Sequence, residues 1–247
     1  MLAALILFSA LPLVTSIWQR SGAPAPSGPT QLESQATGYQ LVLEREPSNQ
    51  TALLGLLETR LQQGDLKSAL MPLERLAQLA PEQTRYALLL AETKAHLQDY
   101  SGATALYRTL LANDPFSLAA LKGLGKLYLT QDRPQEAVAL MQTAITGAIQ
   151  RQTQTPSPEG AAQVTSLQLL LGEIYLDQNR ITEALAVYET AQQVNPEDFR
   201  PVLAQAMVFE QQGNLQQAAP LFQKAEKMAP PQYQNTIQQL RRQSSDN

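Results

Sequence analysis

The sequence predicts an all-α protein, a right-handed α-solenoid of helix-turn-helix repeats with a hydrophobic helix at its N-terminus. Three observations carry this. Leu, Ala and Gln dominate the 247 residues, while aromatic residues are only 6% and runs of β-branched residues are almost absent, a balance that favours helix over sheet. Prolines Pro47, Pro81 and Pro115 stand 34 residues apart, as do Pro196 and Pro230. Ala69, Ala103 and Ala137 step by the same 34, and so do Ala184 and Ala218.

Two further series hold the same phase. A large residue follows each alanine by four positions: Leu73, Tyr107, Met141, Tyr188 and Phe222. Three positions on stand Leu76, Leu110, Ala144, Ala191 and Ala225. A small residue lets two antiparallel helices approach, and a large one a turn later fills the gap between them. Proline cannot continue a helix, so it marks the turn into the next unit. Gly64 and Gly213 fall between the helices of a unit, where a C-cap needs positive φ. Asp65, Asp99, Asn179 and Asn214 cluster at the same turn. Gly125 and Gly172 occupy a close-packing position in the first helix, with Tyr128 and Tyr175 three residues on. The period and the LGKLY and LGEIY segments resemble the tetratricopeptide repeat, abbreviated TPR.

In chain order the elements are these. Residues 1–20 are a hydrophobic anchor or signal, and 21–30 a Pro/Gly/Ser-rich linker. Residues 31–49 read as a lone second helix serving as N-terminal cap, with Tyr39 and Pro47 in phase. Repeats one to three fill 50–151, at 50–83, 84–117 and 118–151. The step from Ala137 to Ala184 is 47, so 13 extra residues form an insertion loop at 152–164. Repeats four and five fill 165–232, at 165–198 and 199–232. Residues 233–247 supply a polar C-terminal capping helix and tail.

Met1 to Trp18 carries no charged side chain. At about 1.5 Å per residue it reaches roughly across a bilayer core, with Trp18 and Arg20 placed as belt and stop residues. The reading is a single-span membrane anchor with the side of the membrane open. A cleaved signal lacks its basic n-region, and Pro24 stands against cleavage after Ala23. A buried or disordered apolar leader is the other alternative. If the source is cyanobacterial, the membrane is thylakoid or plasma membrane.

Several chemistries have no support. No Cys is present, and a single His cannot build a zinc site. His96, at the end of a first helix, lacks a recognisable nucleophile or carboxylate partner and suits the rim of a groove. Gly123-Leu124-Gly125-Lys126 lacks the spacing and the preceding strand of a phosphate loop. A net charge of −4 gives no reason to expect nucleic acid, which usually needs a clustered basic face. No cofactor and no small-molecule substrate is expected, and the reading is non-enzymatic.

The site the repeat predicts is the concave groove lined by the first helices. Its residues are Leu54, Glu58, Arg85, Leu88, Glu92, Lys122, Lys126, Leu169, Glu173, Arg200, Leu203 and Met207. Some repeat domains of this kind grip a terminal carboxylate with a clamp of Lys, Asn and Arg. The matching positions here hold Leu54 and Glu58, or Leu88 and Glu92, so that clamp is missing. An apolar floor with charges of both signs suits an amphipathic helix or extended segment of a partner protein. A solvated surface with binding elsewhere is the alternative.

Leu66–Gln83 and Asn195–Gln212, the EDFRP segment above all, resemble the plastid TPR proteins related to SLOW GREEN and their cyanobacterial relatives. The resemblance spans roughly 31–232. It implies a thylakoid or envelope setting, a role in building the photosynthetic apparatus, and no catalytic residues. With no long Ser/Arg-rich transit peptide, the chain looks like a bacterial member. Two functions stay open: a membrane-tethered assembly factor, and a periplasm-facing envelope scaffold such as one presenting apocytochromes.

Overall fold

The computed structural model describes residues 29–245, and these form twelve helices and no strands. They are α1 (Pro29–Arg45), α2 (Gln50–Gln62), α3 (Leu66–Leu79), α4 (Thr84–His96), α5 (Tyr100–Asn113) and α6 (Leu118–Thr130). Then come α7 (Pro134–Gln154), α8 (Pro158–Asp177), α9 (Ile181–Val194), α10 (Phe199–Gln211), α11 (Leu215–Met228) and α12 (Pro231–Ser245). The expected anchor at Met1–Trp18 and the linker up to Gly28 lie outside the described residues. Among the described residues no helix is long and apolar enough to cross a membrane.

The described chain forms two compact units, 29–127 and 128–245, divided within α6 rather than at the extra residues. In the first unit each helix from α1 to α5 packs on its chain neighbours. Leu53 and Leu57 of α2, Ala69, Leu73 and Leu76 of α3, and Tyr86, Leu89 and Leu90 of α4 form one core. In the second unit the same neighbour-to-neighbour packing runs from α7 to α12, and α8 also touches α10. Val202, Ala206 and Met207 of α10 close on Ala218, Phe222 and Ala225 of α11 and Ile237 of α12. The alanines read as contact points are fully covered: Ala69, Ala103, Ala137 and Ala184 have no exposed area.

The turns inside each repeat share one device. The residue fourteen after the start of each repeat adopts left-handed φ: Gly64 (71°), Gln98 (64°), Asp132 (57°), Asn179 (57°) and Gly213 (73°). The next residue opens the second helix. Asp65, Asp99 and Asn214 do so by accepting a hydrogen bond from the backbone N–H three residues on, at 3.1, 2.9 and 3.2 Å. Asn179 does not belong with them. It takes the left-handed position, which Asn tolerates better than most residues, and Arg180 stands at the cap. Arg180 donates to Glu183 at 2.9 Å and lies 4.5 Å over the Tyr175 ring. Arg133 repeats this with Glu136 at 2.9 Å and Tyr128 at 4.8 Å. The chain thus uses two interchangeable turn chemistries, one capping with a carboxylate or amide and one clasping with arginine.

The expected loop at 152–164 is a correction. Only Thr155–Ser157 interrupt the helices, and α7 and α8 reach 21 and 20 residues where the other repeat helices have 13 or 14. Pro156 ends α7 by excluding helical backbone from the residue before it. Ser157 caps α8, its hydroxyl accepting from Gly160 N–H at 3.0 Å, and Pro158 takes the first helical position. Gln152 locks the corner with bonds of 2.9 and 3.2 Å to the Ser157 carbonyl and N–H. Ala148 and Val164, 3% and 1% exposed, show that the added turns are packed. The extra residues therefore lengthen one antiparallel helix pair.

Candidate protein-binding floors

The first helices of successive repeats place their groove residues in rows, and each unit carries its own set. In the first unit α2 supplies Leu54 and Glu58, α4 supplies Arg85, Leu88 and Glu92, and α6 supplies Lys122 and Lys126. Leu54, Glu58 and Lys122 are half-buried, Arg85, Glu92 and Lys126 are exposed, and Leu88 is buried. Arg85 turns onto its neighbour, donating to the Tyr86 hydroxyl at 2.7 Å. His96 is the exposed last residue of α4, within electrostatic reach of Glu92. Burial raises the pKa of Glu58. Burial also raises that of Glu92, against the opposing charges of His96 and Lys126. Glu92 is exposed to water yet close enough to surrounding protein for burial to raise its pKa.

In the second unit α8 supplies Leu169 and Glu173, and α10 supplies Arg200, Leu203 and Met207. Glu173 is half-buried. Leu169, Leu203 and Met207 are 4%, 8% and 3% exposed, and Leu203 and Met207 belong to the core around Phe222. Arg200 is engaged within the fold. Its Nε bonds both Asp198 oxygens at 2.9 and 3.1 Å, and Nη2 reaches Asp198 Oδ2 at 2.6 Å. Nη1 donates to the Ser166 hydroxyl at 3.0 Å, and Nη2 to the Ala162 carbonyl at 3.4 Å. Asp198 also caps α10, accepting from Arg200 N–H at 3.0 Å. The EDFRP segment is thereby a tie between α10 and α8. Its sequence signal is the 34-residue offset of Ser166 and Arg200.

The sequence reading placed Tyr107 and Tyr188 between helices but missed their glycine partners. A Cβ at Gly123 would fall within the Tyr107 ring, and one at Gly172 within the Tyr188 ring. Gly123 is thus a packing glycine of α6, and the close neighbour of Gly172 is Tyr188 across the helix pair. Burial raises both phenol pKa values, with Glu92 adding to the effect at Tyr107, and Glu173 and Asp177 at Tyr188. The phenols therefore lie near the glutamates of the candidate floors. The Tyr188 hydroxyl is buried with no hydrogen-bond partner. Among the described residues no three His, Cys, Asp or Glu side chains gather as a metal site.

Neutralising Glu92 should not harm the fold. A raised folded-state pKa means that the ionised carboxylate costs stability above that pKa and that protonation relieves the cost. Glu92→Gln is expected to match or exceed the wild type in denaturant melts at pH 7. The difference should shrink as the pH falls through the raised pKa, above the ordinary 4.5. A loss of stability at pH 7 would mean that Glu92 is a structural partner.

Within each unit, helix pairs packed in series, with row-forming side chains on the first helices, define a helical-repeat protein. The Tetratricopeptide repeat family profile matches residues 88–152 and 169–233, more than half of the chain, and the protein belongs to that family. No curated protein matches it. Among solved structures it is similar to TTC0263, a thermophilic TPR protein of Thermus thermophilus. The identity there is 19%, with 80% of this chain and 100% of that chain covered at a TM-score of 0.45. It is also similar to MamA (residues 41 to the end) of Desulfovibrio magneticus RS-1, at 17% identity, 78% and 94% coverage and a TM-score of 0.42. A third is YrrB, described as a TPR protein with an unusual peptide-binding site, at 14% identity, 79% and 94% coverage and a TM-score of 0.40.

Proposed function

We propose that this TPR protein is a membrane-tethered assembly factor that holds a partner protein against the first helices of its repeats. TPR proteins are in general non-catalytic interaction scaffolds that bind peptides or proteins. The observation that carries the binding reading is the floor of the first unit. There Glu58 and Glu92 stand partly desolvated beside Leu54 and Leu88, an arrangement that costs stability unless something is gained by it. The tether rests on the uncharged Met1–Trp18 stretch. The photosynthetic setting rests on the resemblance of the 66–83 and 195–212 segments to the SLOW GREEN-related proteins. Alkaline carbonate extraction of native membranes tests the tether. The full chain is expected to stay with the membrane and a chain lacking residues 1–18 to be released. Release of the full chain would contradict it. Affinity purification from those membranes should bring down subunits of one membrane complex under assembly. Protease digestion of the repeats from outside intact spheroplasts would favour the periplasm-facing scaffold instead.

A further inference from the structure

We propose that the floor of the 29–127 unit selects a partner segment of ordered charge, with basic side chains over α2 and α4, apolar side chains against the leucines of those same helices, and acidic side chains over α6. The inference rests on the groove reading above and names what that groove takes.

Residues 34 apart occupy equivalent places on successive first helices, so the floor has two rows: Leu54, Leu88, Lys122 and Glu58, Glu92, Lys126. Both rows change character at the same step. The first two helices present leucine and glutamate, and the third presents two lysines. A segment lying along the rows meets carboxylates first and ammonium groups second, with leucine beneath it.

The acidic half is the informative one. The described chain pairs many of its acids: Glu33 with Arg60, Glu74 and Asp99 with Lys94, Glu136 with Arg133, Glu183 with Arg180, Asp198 with Arg200 and Glu226 with Arg241. Glu58 and Glu92 enter none of these pairs. They are instead the acids whose pKa burial raises. The ordinary surface solution, a lysine or arginine three or four residues away, is absent at Glu58, and Glu92 has only His96 at that spacing. At Glu58 a cation brought by a partner supplies the charge that the chain itself does not, and at Glu92 it adds to the opposing charges of His96 and Lys126. With successive first helices on the order of 10 Å apart and extended chain advancing about 3.3 Å per residue, the partner's acidic group stands about three residues from the cation over α4 and about six from the one over α2.

The test uses the full chain in mild detergent and four fluorescein-labelled peptides: two arginines about three residues apart, two glutamates beginning about three residues after the second arginine, and neutral residues including leucine in the gaps; the same residues in reversed order; and all-arginine and all-glutamate versions. Fluorescence anisotropy should show one charge order bound at least about tenfold more tightly than its reverse and than either single-sign peptide, with affinity falling as salt rises. Glu58→Gln with Glu92→Gln, and separately Lys122→Gln with Lys126→Gln, should each weaken the preferred peptide about tenfold without lowering the melting temperature. Reversing all four charges should invert the order preference. Equal binding of both orders, unmoved by these variants, overturns the inference. If hydrogen-exchange protection by the bound peptide then still falls on α2, α4 and α6, the groove reading survives and only the charge order is wrong. Protection confined to other helices defeats both. No binding of any peptide at millimolar concentration defeats the charge order, and photo-cross-linking from Glu92 then decides the groove reading separately.

Discussion

Replacing Gly172 with leucine is expected to destabilise the 128–245 unit by about 2 kcal/mol net. Leucine gains roughly 0.8 kcal/mol over glycine in helix propensity, so overpacking must exceed that gain, and the geometry says that it does. The Tyr188 ring occupies the space where the first side-chain carbon would stand, and that ring has no exposed area through which to leave. The chain contains its own repacked solution. In the repeat at 50–83 the equivalent pair is Leu57 and Leu73, both fully buried in one core. Gly172→Leu combined with Tyr188→Leu should therefore cost at least about 1 kcal/mol less than the sum of the two singles. Tyr188→Phe, which removes only the unpartnered hydroxyl, should be neutral or stabilising. Urea melts of the four variants check this. Additive singles would mean that Gly172 and Tyr188 do not share a socket.

Arg200→Ala should cost a further sizeable amount, about 2 kcal/mol, through the charge it abandons. The Asp198 side chain is 8% exposed and takes three guanidinium hydrogen bonds. Removing the arginine leaves that carboxylate covered and dependent on one backbone N–H, and also frees Ser166. Arg200 is itself 34% exposed, which holds the figure below that of a fully buried pair. Arg200→Lys should not restore stability, since an ammonium cannot reproduce the planar fork that serves both Asp198 and Ser166. Asp198→Asn in the Arg200→Ala background should recover part of the loss by removing the orphaned charge. Equal stability of Arg200→Ala and wild type would mean that the Arg200–Asp198 tie does not hold α10 to α8.

The helix framework was legible because the repeat writes each contact several times at a fixed period. Ala69, Ala103, Ala137, Ala184 and Ala218 mark the second helices without reference to any fold. Side-chain partners were less legible, because they cross the period. Tyr107 and Tyr188 have small residues sixteen positions to either side, Ala91 with Gly123 and Gly172 with Ala204, whereas Leu73 has Leu57 and Leu89. That volume exchange is present in the letters but is masked by the stronger 34-residue signal, so Gly172 was matched to Tyr175 on its own helix. The extra residues misled through composition. Pro156, Ser157, Pro158 and Gly160 suggest a loop, yet Pro and Ser also start helices, and here one cap and one proline make a corner of three residues. At the turns Gly64 and Gly213 announce positive φ, but Gln98 and Asp132 adopt it without any such sign. On the floors, residue type located Glu58, Glu92, Lys122 and Lys126. It could not show that Arg200 was already engaged or that Met207 faced Phe222.

The central claim is that a partner protein lies against the first helices. Site-specific photo-cross-linking in native membranes tests it most directly, with the probe placed at Glu92 or Glu173 on the first helices and at Arg108 or Glu189 on the second. The account predicts the same discrete adduct from Glu92 or Glu173, or from both, and none from Arg108 and Glu189. Adducts from Arg108 and Glu189 alone would contradict it.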